Sequence, residues 1–269
     1  MIIDAHAHIG KINKVTYEKS KDMILTSMAK YHVSFSLISN GDANEFTSKG
    51  YKVRNQKSQI QASQETLDFV KAHPDKLGAL LWCKPHFETA DAELERFIQE
   101  NRAFIYGLKF HPFGSKVAAD DPRMEPYYKL AFKYQLPILI HTATDRCSSI
   151  LLFENAAKKH PELTFIAAHM ELISDNQEAI RVVHDNPNVY GDTAWVPTKI
   201  ARQTIRVCGS KKLMFGTDNP VDGYETLNHP FYKSYRSHSF KKLVGNAKYE
   251  RLMGRNAIKV YKLPISFKP

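Results

Sequence analysis

Short runs of apolar and β-branched residues alternate with longer amphipathic segments along the whole chain. Eight short runs predict β-strands at Ile2–His6, Val33–Asn40, Leu77–Lys84, Tyr106–His111, Pro137–His141, Thr164–His169, Val189–Ala194 and Lys212–Thr217. Apolar residues at helical spacing predict helices between them at Lys19–Lys30, Glu65–Ala72, Ala90–Gln99, Pro126–Tyr134, Ile150–His160, Asn176–His184 and Lys199–Val207. An eightfold strand–helix alternation predicts an α/β fold, a single (β/α)8 TIM barrel.

Prolines that end predicted helices shortly before the next strand support one barrel domain over residues 1–269. The chain length supports the same conclusion. The 269 residues match the roughly 250 residues of a typical barrel, and no composition break divides them. Three long connections, Gly41–Gln59, His111–Arg123 and Asn219–Gly245, follow strands two, four and eight. These should lie at the face of the barrel where active sites form. Within the last connection, Pro230–Leu243 is expected to be largely helical.

Polar side chains occur where the predicted strands end. Because strand side chains alternate, Asp4, His6 and His8 are expected to project to one side of the first strand. His141, His169 and Asp218 end the apolar runs of strands five, six and eight. Each alone could be a satisfied buried histidine or a capping aspartate. Together, so many ionisable groups at buried strand ends indicate a shared partner such as a metal ion.

Four segments resemble the signatures of a known superfamily. DAHAHIG, LIHT, AAHM and FGTDNP are similar to the strand 1, 5, 6 and 8 motifs of the amidohydrolase superfamily, in particular its amidohydrolase-2 branch. The C-terminal RLMGRNAIKVYKL resembles the closing helix of that branch. The resemblance covers residues 2 to about 263. It is specific for the superfamily but not for a substrate.

The resemblance implies a role for each matching residue. His6, His8, His141 and Asp218 would hold one divalent metal, and Asp218 would also exchange a proton with a bound water. His169 matches a histidine that ligates a second metal or acts on the substrate. Imidazole and carboxylate ligands suit Zn²⁺ best, with Mn²⁺, Fe²⁺ and Ni²⁺ as alternatives.

Strand four bears on the number of metals. Lys109 and His111 share a face of this strand and are expected near the substrate, beside a single metal. In some members of the superfamily a carboxylated lysine at this strand bridges two metals, so a second metal remains an alternative. Asp192, at the end of strand seven, is expected either to orient a ligand histidine or to cap a turn. For Trp82 and Trp195, core packing is favoured over lining the pocket.

Several reactions are compatible with this set of residues. The leading hypothesis is hydrolysis, in which a metal-activated water attacks an ester, lactone or amide carbonyl of a small substrate, acidic substrates included. Metal-dependent non-oxidative decarboxylation of an aromatic or related acid is the alternative. A TatD-like nuclease ranks low, because that family carries a glutamate where this chain has Lys109. A barrel that binds a ligand without turnover has no feature in its favour.

Composition adds expectations about partners and location. The net charge is +10 with a pI of about 9.3, which is compatible with attraction to anions but is favoured as a solvated basic surface. No signal peptide or transmembrane run is evident, and the three cysteines form no metal or disulfide pattern. We therefore expect a cytoplasmic enzyme with a small-molecule substrate, no membrane or nucleic-acid partner, and, as in related barrels, a homodimer.

Overall fold

Eight parallel strands form one sheet in the order of the chain. The computed structural model describes residues 1–11, 15–221, 223 and 230–266. The strands are β1 Ile3–Ile9, β2 Phe35–Asn40, β3 Leu77–Trp82, β4 Ile105–Phe110, β5 Ile138–Ala143, β6 Phe165–Leu172, β7 Val189–Asp192 and β8 Leu213–Met214. Ala5 N donates to Phe215 O at 2.9 Å and Asp218 N to His6 O at 2.8 Å. These bonds join the first strand to the last, so the predicted barrel is confirmed.

Helices follow the strands and surround the sheet. They are α1 Tyr17–Tyr31, α2 Gln59–Ala72, α3 Ala92–Glu100, α4 Pro112–Ser115, α5 Glu125–Tyr134, α6 Ile150–Lys159, α7 Gln177–Asp185, α8 Thr198–Cys208, α9 Pro230–Arg236, α10 His238–Val244, α11 Asn246–Glu250 and α12 Asn256–Tyr261. Each predicted helix is present. The helical character expected in the last long connection is confirmed by α9 and α10. None of the helices in the described ranges combines the length and apolar character needed to cross a membrane.

The apolar residues form two separate layers. A small cluster fills the inside of the barrel and includes Ile3, Ala5, Leu80, Ile166 and Met214. Residues of α12, among them Ala257 and Tyr261, pack on the same cluster at the end away from the strand carboxyl termini. A larger cluster lies between the sheet and the surrounding helices. Because the interior is packed at one end, polar residues that face inward can meet only at the other.

A local irregularity in β1 changes which side chains face inward. The pairing of β1 with β2 shifts register between Asp4 and Ala7. Ile3 and Ala5 face the interior cluster, while Asp4 accepts a hydrogen bond from Thr217 N at 3.1 Å and from Thr217 Oγ1. The prediction that Asp4 shares a face with His6 and His8 is therefore wrong, because an inserted residue reverses the alternation of a regular strand.

Candidate metal centre

Two imidazoles and a carboxylate converge at the carboxyl end of the barrel. His6 Nε2 lies 3.1 Å from His8 Nε2. Asp218 Oδ1 lies 2.9 Å from His8 Nε2 and 3.2 Å from His6 Nε2. All three residues are less than 10% exposed. Three ligand-type atoms thus face one point at the junction of the first and last strands.

Outer hydrogen bonds fix how the two β1 histidines point. His6 Nδ1 donates to Asp192 Oδ2 at 2.7 Å, and His8 Nδ1 shares a hydrogen bond with Ser39 Oγ at 2.8 Å. A bond at Nδ1 leaves Nε2 as the ligand atom, which is the usual arrangement around metal-binding histidines. Sequence inspection had not singled out Ser39, which ends no motif.

Asp192 serves both of the roles considered for it. Its Oδ2 orients His6, while its Oδ1 accepts hydrogen bonds from His169 N at 2.9 Å and Ala194 N at 3.1 Å. Burial raises the pKa of this carboxyl, although His169 acts in the opposite direction. One carboxylate therefore ties β1, β6 and the end of β7 together.

His169 and His141 complete a ring of imidazoles. The His169 ring lies 5.0 Å from that of His6 and 4.8 Å from that of His141. Within the described part of the chain, ligand atoms of His6, His169 and Asp218 all lie within 4.8 Å of one another. His141 instead stacks on His111, with ring centroids 4.1 Å apart. The residues assigned from sequence are therefore gathered in one site. His169 belongs to the group formed with His6 and Asp218, whereas His141 does not.

The strand-four residues also reach this site. Lys109 is buried, and its Nζ donates to His6 Nε2 at 2.9 Å. Burial lowers the pKa of Lys109 to about 8, against the opposing attraction of Asp218. His111 stacks between Trp82 and His141 and accepts a hydrogen bond from Gly114 N at Nδ1, at 2.9 Å. A neutral His111 consequently carries its proton on Nε2.

Burial keeps four imidazoles of this region neutral. It lowers the pKa of His6, His111 and His141 well below the usual range, and that of His169 to about 4. Burial alone would raise the pKa of Asp218. The facing His6 and the hydrogen bond with His8 outweigh burial, so that pKa lies well below its usual value. Neutral imidazoles beside an ionised carboxylate are the protonation states that a divalent metal requires.

Trp195 is a site residue for which sequence reasoning favoured core packing. Its Nε1 donates to Asp218 Oδ2 at 2.7 Å, and its ring lines the cavity above the centre. Trp82 lines the same cavity, although it also packs against Ala43. The favoured core-packing interpretation is wrong for Trp195. Its position just after β7, on the catalytic face, was the signal available in the sequence.

Three residues of the site have left-handed backbone conformations. The φ angles are 68° at His169, 61° at Trp195 and 63° at Asp218. Such conformations are unfavourable for residues other than glycine, and they persist when surrounding contacts enforce them. Here the hydrogen bonds of Asp192 and Trp195 provide those contacts.

The centre opens into a cavity of about 430 Å³. Its lining residues are His8, Gly41, Asn44, Trp82, Lys109, His111, His141, His169, Leu172, Ile173, Trp195, Asp218 and Val221. Ionisable groups occupy the floor, whereas tryptophan and aliphatic side chains form much of the wall. The volume lies within the range of roughly 300–1,000 Å³ typical of small-molecule sites.

The donor set fits a divalent metal ion. The 3.1 Å between the Nε2 atoms of His6 and His8 is close to the ~3.3 Å expected for two nitrogens at about 2.0–2.1 Å from one tetrahedral ion. His6 Nδ1 is engaged by Asp192 and His8 Nδ1 by Ser39, so both Nε2 atoms are left to face the site. The Lys109 ammonium already places a positive charge against one of these nitrogens.

The fold and site define a barrel with a candidate metal centre lined by histidine and aspartate. A family model described as amidohydrolase matches residues 3–263. The chain therefore belongs to this amidohydrolase family, whose members are metal-dependent enzymes. A search of curated proteins gave no match.

Solved structures share the fold at low sequence identity. A TIM-barrel protein from Bordetella bronchiseptica superposes with a TM-score of 0.71 at 16% identity, covering 97% of this chain and 98% of that one. A 5-carboxyvanillate decarboxylase from Sphingomonas paucimobilis gives 0.67 at 15%, covering 97% and 99%. A probable 2-pyrone-4,6-dicarboxylic acid hydrolase from Acinetobacter baumannii gives 0.68 at 12%, also covering 97% and 99%.

Proposed function

We propose that the protein is a hydrolase that directs water onto the ester, lactone or amide carbonyl of a small molecule. The observation that carries this proposal is the position of Asp218. Its Oδ1 faces His6 and His8, its Oδ2 is held by Trp195, and it borders the cavity. An ionised carboxylate held in this way at the cavity floor is suited to act as a general base.

One divalent metal, best matched by Zn²⁺, would be held by His6, His8, His141 and Asp218, with His169 beside it. When bound, such an ion activates water and polarises a carbonyl group. A single metal is proposed, with Lys109 Nζ beside it, 2.9 Å from His6 Nε2. His169 Nδ1 donates to the carbonyl of Ala194 at 3.2 Å, so its Nε2 is a free acceptor in the neutral ring.

The protein's own groups account for the proton movements of hydrolysis. Asp218 takes a proton from the attacking water and returns it to the leaving group as the carbonyl re-forms. His111 directs an Nε2–H into the cavity, because its Nδ1 accepts from Gly114. That donor would stabilise the oxygen on which negative charge develops. His169, with a pKa of about 4, would accept hydrogen bonds at neutral pH.

Decarboxylation is the second candidate, and the cavity wall is the observation in its favour. Trp82, Trp195, Leu172 and Ile173 surround the polar floor with apolar surface. Removing a substrate carboxylate from water favours loss of CO₂, because the charge is dispersed as the bond breaks. The similarity to a decarboxylase structure adds only a shared fold. A nuclease is disfavoured, since a cavity of about 430 Å³ suits a small molecule.

A substrate panel with isotope readouts tests the proposal. The metal-loaded protein is incubated with aryl esters, lactones, amides and aromatic acids in H₂¹⁸O, and products are analysed for ¹⁸O and for released CO₂. Hydrolysis predicts one ¹⁸O in the product acid and no CO₂. Release of CO₂ without ¹⁸O in the other product would replace the proposal with the decarboxylase alternative.

The variant Asp218→Asn tests the role of the general base. We expect kcat to fall by about 10²–10⁴-fold, while the circular dichroism spectrum and unfolding cooperativity are retained. Metal content is measured in parallel, because Asp218 is also a proposed ligand, and rates are compared at equal metal occupancy. Unchanged turnover at full occupancy would rule out the mechanism for any substrate.

A further inference from the structure

A groove separate from the cavity of the candidate metal centre lies on the outer surface. It lies between α8 and the α10–α11 segment, has a volume of about 610 Å³, and is lined by Lys199, Arg202, Gln203, Ile205, Arg206, Leu243, Val244 and Lys248. Four of these residues are cations and none is a carboxylate. None lines the cavity of the metal centre. The groove is therefore a separate, positively charged surface.

The cations of this groove lack counter-charges. The side chains of Lys199, Arg202, Arg206 and Lys248 form neither a hydrogen bond nor an ion pair with any residue in the described ranges. Nearby on α7, by contrast, Arg181 pairs with Glu154, Glu178 and Asp185. The charge of the groove is thus uncompensated within the described chain, and it attracts anions.

Helical geometry arranges three of the cations in a row. Lys199, Arg202 and Arg206 follow i, i+3, i+7 spacing on α8, so they share one face and span about 10 Å along the axis. The first turn of α8 contains no acidic residue, although acidic residues are the ones that stabilise a helix N-terminus. A row of this length suits a ligand with at least two separated anionic groups.

The chemistry of the row favours phosphate groups. Two of its members are arginines, whose planar guanidinium binds phosphate oxygens in pairs. Ile205 and Val244, both largely buried, provide an apolar floor, and Leu243 is 64% exposed at the edge. No aromatic side chain is among the lining residues, so the base stacking typical of single-stranded nucleic-acid sites is not offered.

We propose that this groove binds a small organic bisphosphate, with the two phosphates along α8 and the organic body on the apolar floor. Its volume of about 610 Å³ lies within the usual range for small ligands. Lys248, on the opposite wall from α8, adds a fourth charge to the same ligand. This site is independent of the reaction at the metal centre.

Titration calorimetry of the metal-loaded protein with fructose 1,6-bisphosphate as the probe tests the site. We expect saturable binding of one molecule per chain. In R202E/R206E the affinity should fall roughly tenfold or more, because the two charge-assisted phosphate contacts are lost. The matched control is R96E/K129E, which makes the same change of net charge on the exposed surfaces of α3 and α5. Its affinity should stay within about twofold, provided the contacts are local.

Three results would overturn the proposal. The first is the absence of saturable binding. The second is an equal loss of affinity in R202E/R206E and R96E/K129E, which would show a general charge effect. The third is binding that survives in R202E/R206E but disappears in His6→Ala, which would place the probe at the metal centre. Circular dichroism of both double variants verifies that their fold is retained.

Discussion

At the residue scale, hydrogen bonds at one ring nitrogen determine what the other nitrogen can do. His6 and His169 donate from Nδ1 to Asp192 and to the carbonyl of Ala194, so each presents an Nε2 lone pair. His111 accepts at Nδ1 from Gly114, so it presents an Nε2–H. The histidines of one site thus divide into acceptors that suit a metal and one donor that suits a substrate oxygen.

Substitutions at His111 can separate its two nitrogens. Asparagine places an acceptor near the position of Nδ1 and keeps the bond to Gly114, but it removes the donor at Nε2. We expect His111→Asn to lower kcat by roughly 10²–10³-fold, as removal of an oxyanion donor does. His111→Gln places an amide N–H near the Nε2 position and should retain more activity. Steady-state kinetics of both variants measure this, and the opposite order would contradict the donor role.

Trp195 should act through Asp218. In Trp195→Phe the apolar wall is kept but the hydrogen bond to Oδ2 is lost, so the carboxylate can rotate. Because a bond to a charged group contributes about 1.5–3 kcal/mol, kcat should fall by roughly 10–100-fold while KM changes little. Trp82→Phe is the matched control, since it removes an indole from the same cavity without touching Asp218. A similar fall in kcat for both variants would indicate a packing effect instead.

At the element scale, periodicity predicted the barrel well because the strands are buried on both faces and the helices on one. It failed where the backbone departs from regular geometry. The start of α2 at Gln59 was placed six residues too late, because its first turns are polar and are fixed by the Ser58–Gln61 capping box. The register shift after Asp4 was also missed, since no residue type in this segment signals a bulge.

Much of the candidate site could be predicted for a related reason. His6, His8, His141, His169 and Asp218 stand where apolar runs end, and parallel strands bring such ends together. Ser39 was not singled out and Trp195 was assigned to the core, because their roles depend on which neighbour they reach across the barrel mouth. The ligand set itself remains a prediction. Because His169 lies close to His6 and Asp218, it is a candidate metal ligand in addition to His141.

The loop after β2 contains a buried carboxyl that should make stability depend on pH. Glu45 is 1% exposed and accepts hydrogen bonds from Phe87 N at 2.8 Å and His86 N at 3.4 Å, so it anchors this loop to the one after β3. Burial raises its pKa from 4.5 to about 7. Between these values the folded state holds a proton that the unfolded state has lost, so this contribution to stability falls as pH rises.

The variant Glu45→Gln should remove that contribution. The free energy of unfolding of the variant relative to the native protein should increase by about 1–3 kcal/mol between pH 5 and pH 8. Urea unfolding at several pH values measures the difference. Glu100→Gln, the same change at an exposed position, should give a difference that does not vary with pH. A flat difference for Glu45→Gln as well would refute the assignment.

At the scale of the whole molecule, the candidate metal centre lies where the first and last strands of the barrel meet. His6 comes from the first strand and Asp218 follows the last, and the two segments are also joined by the bond from Asp218 N to His6 O. His141 and His169 come from β5 and β6, across the barrel from β1. Because these groups meet only in the folded barrel, a metal bound there stabilises the native state over the unfolded chain.

Removal of the metal should therefore lower the thermal stability of the whole chain. At a free metal concentration about a thousand times Kd, binding adds about 4 kcal/mol, which corresponds to roughly 10 °C in Tm for a chain of this size. Differential scanning calorimetry before and after chelation, followed by readdition of Zn²⁺, measures the shift. In His6→Ala the metal should produce little or no shift in Tm. This variant lacks His6 Nε2, the proposed ligand atom that lies close to His8, Lys109 and Asp218. An equal shift in that variant would place the bound metal elsewhere on the molecule.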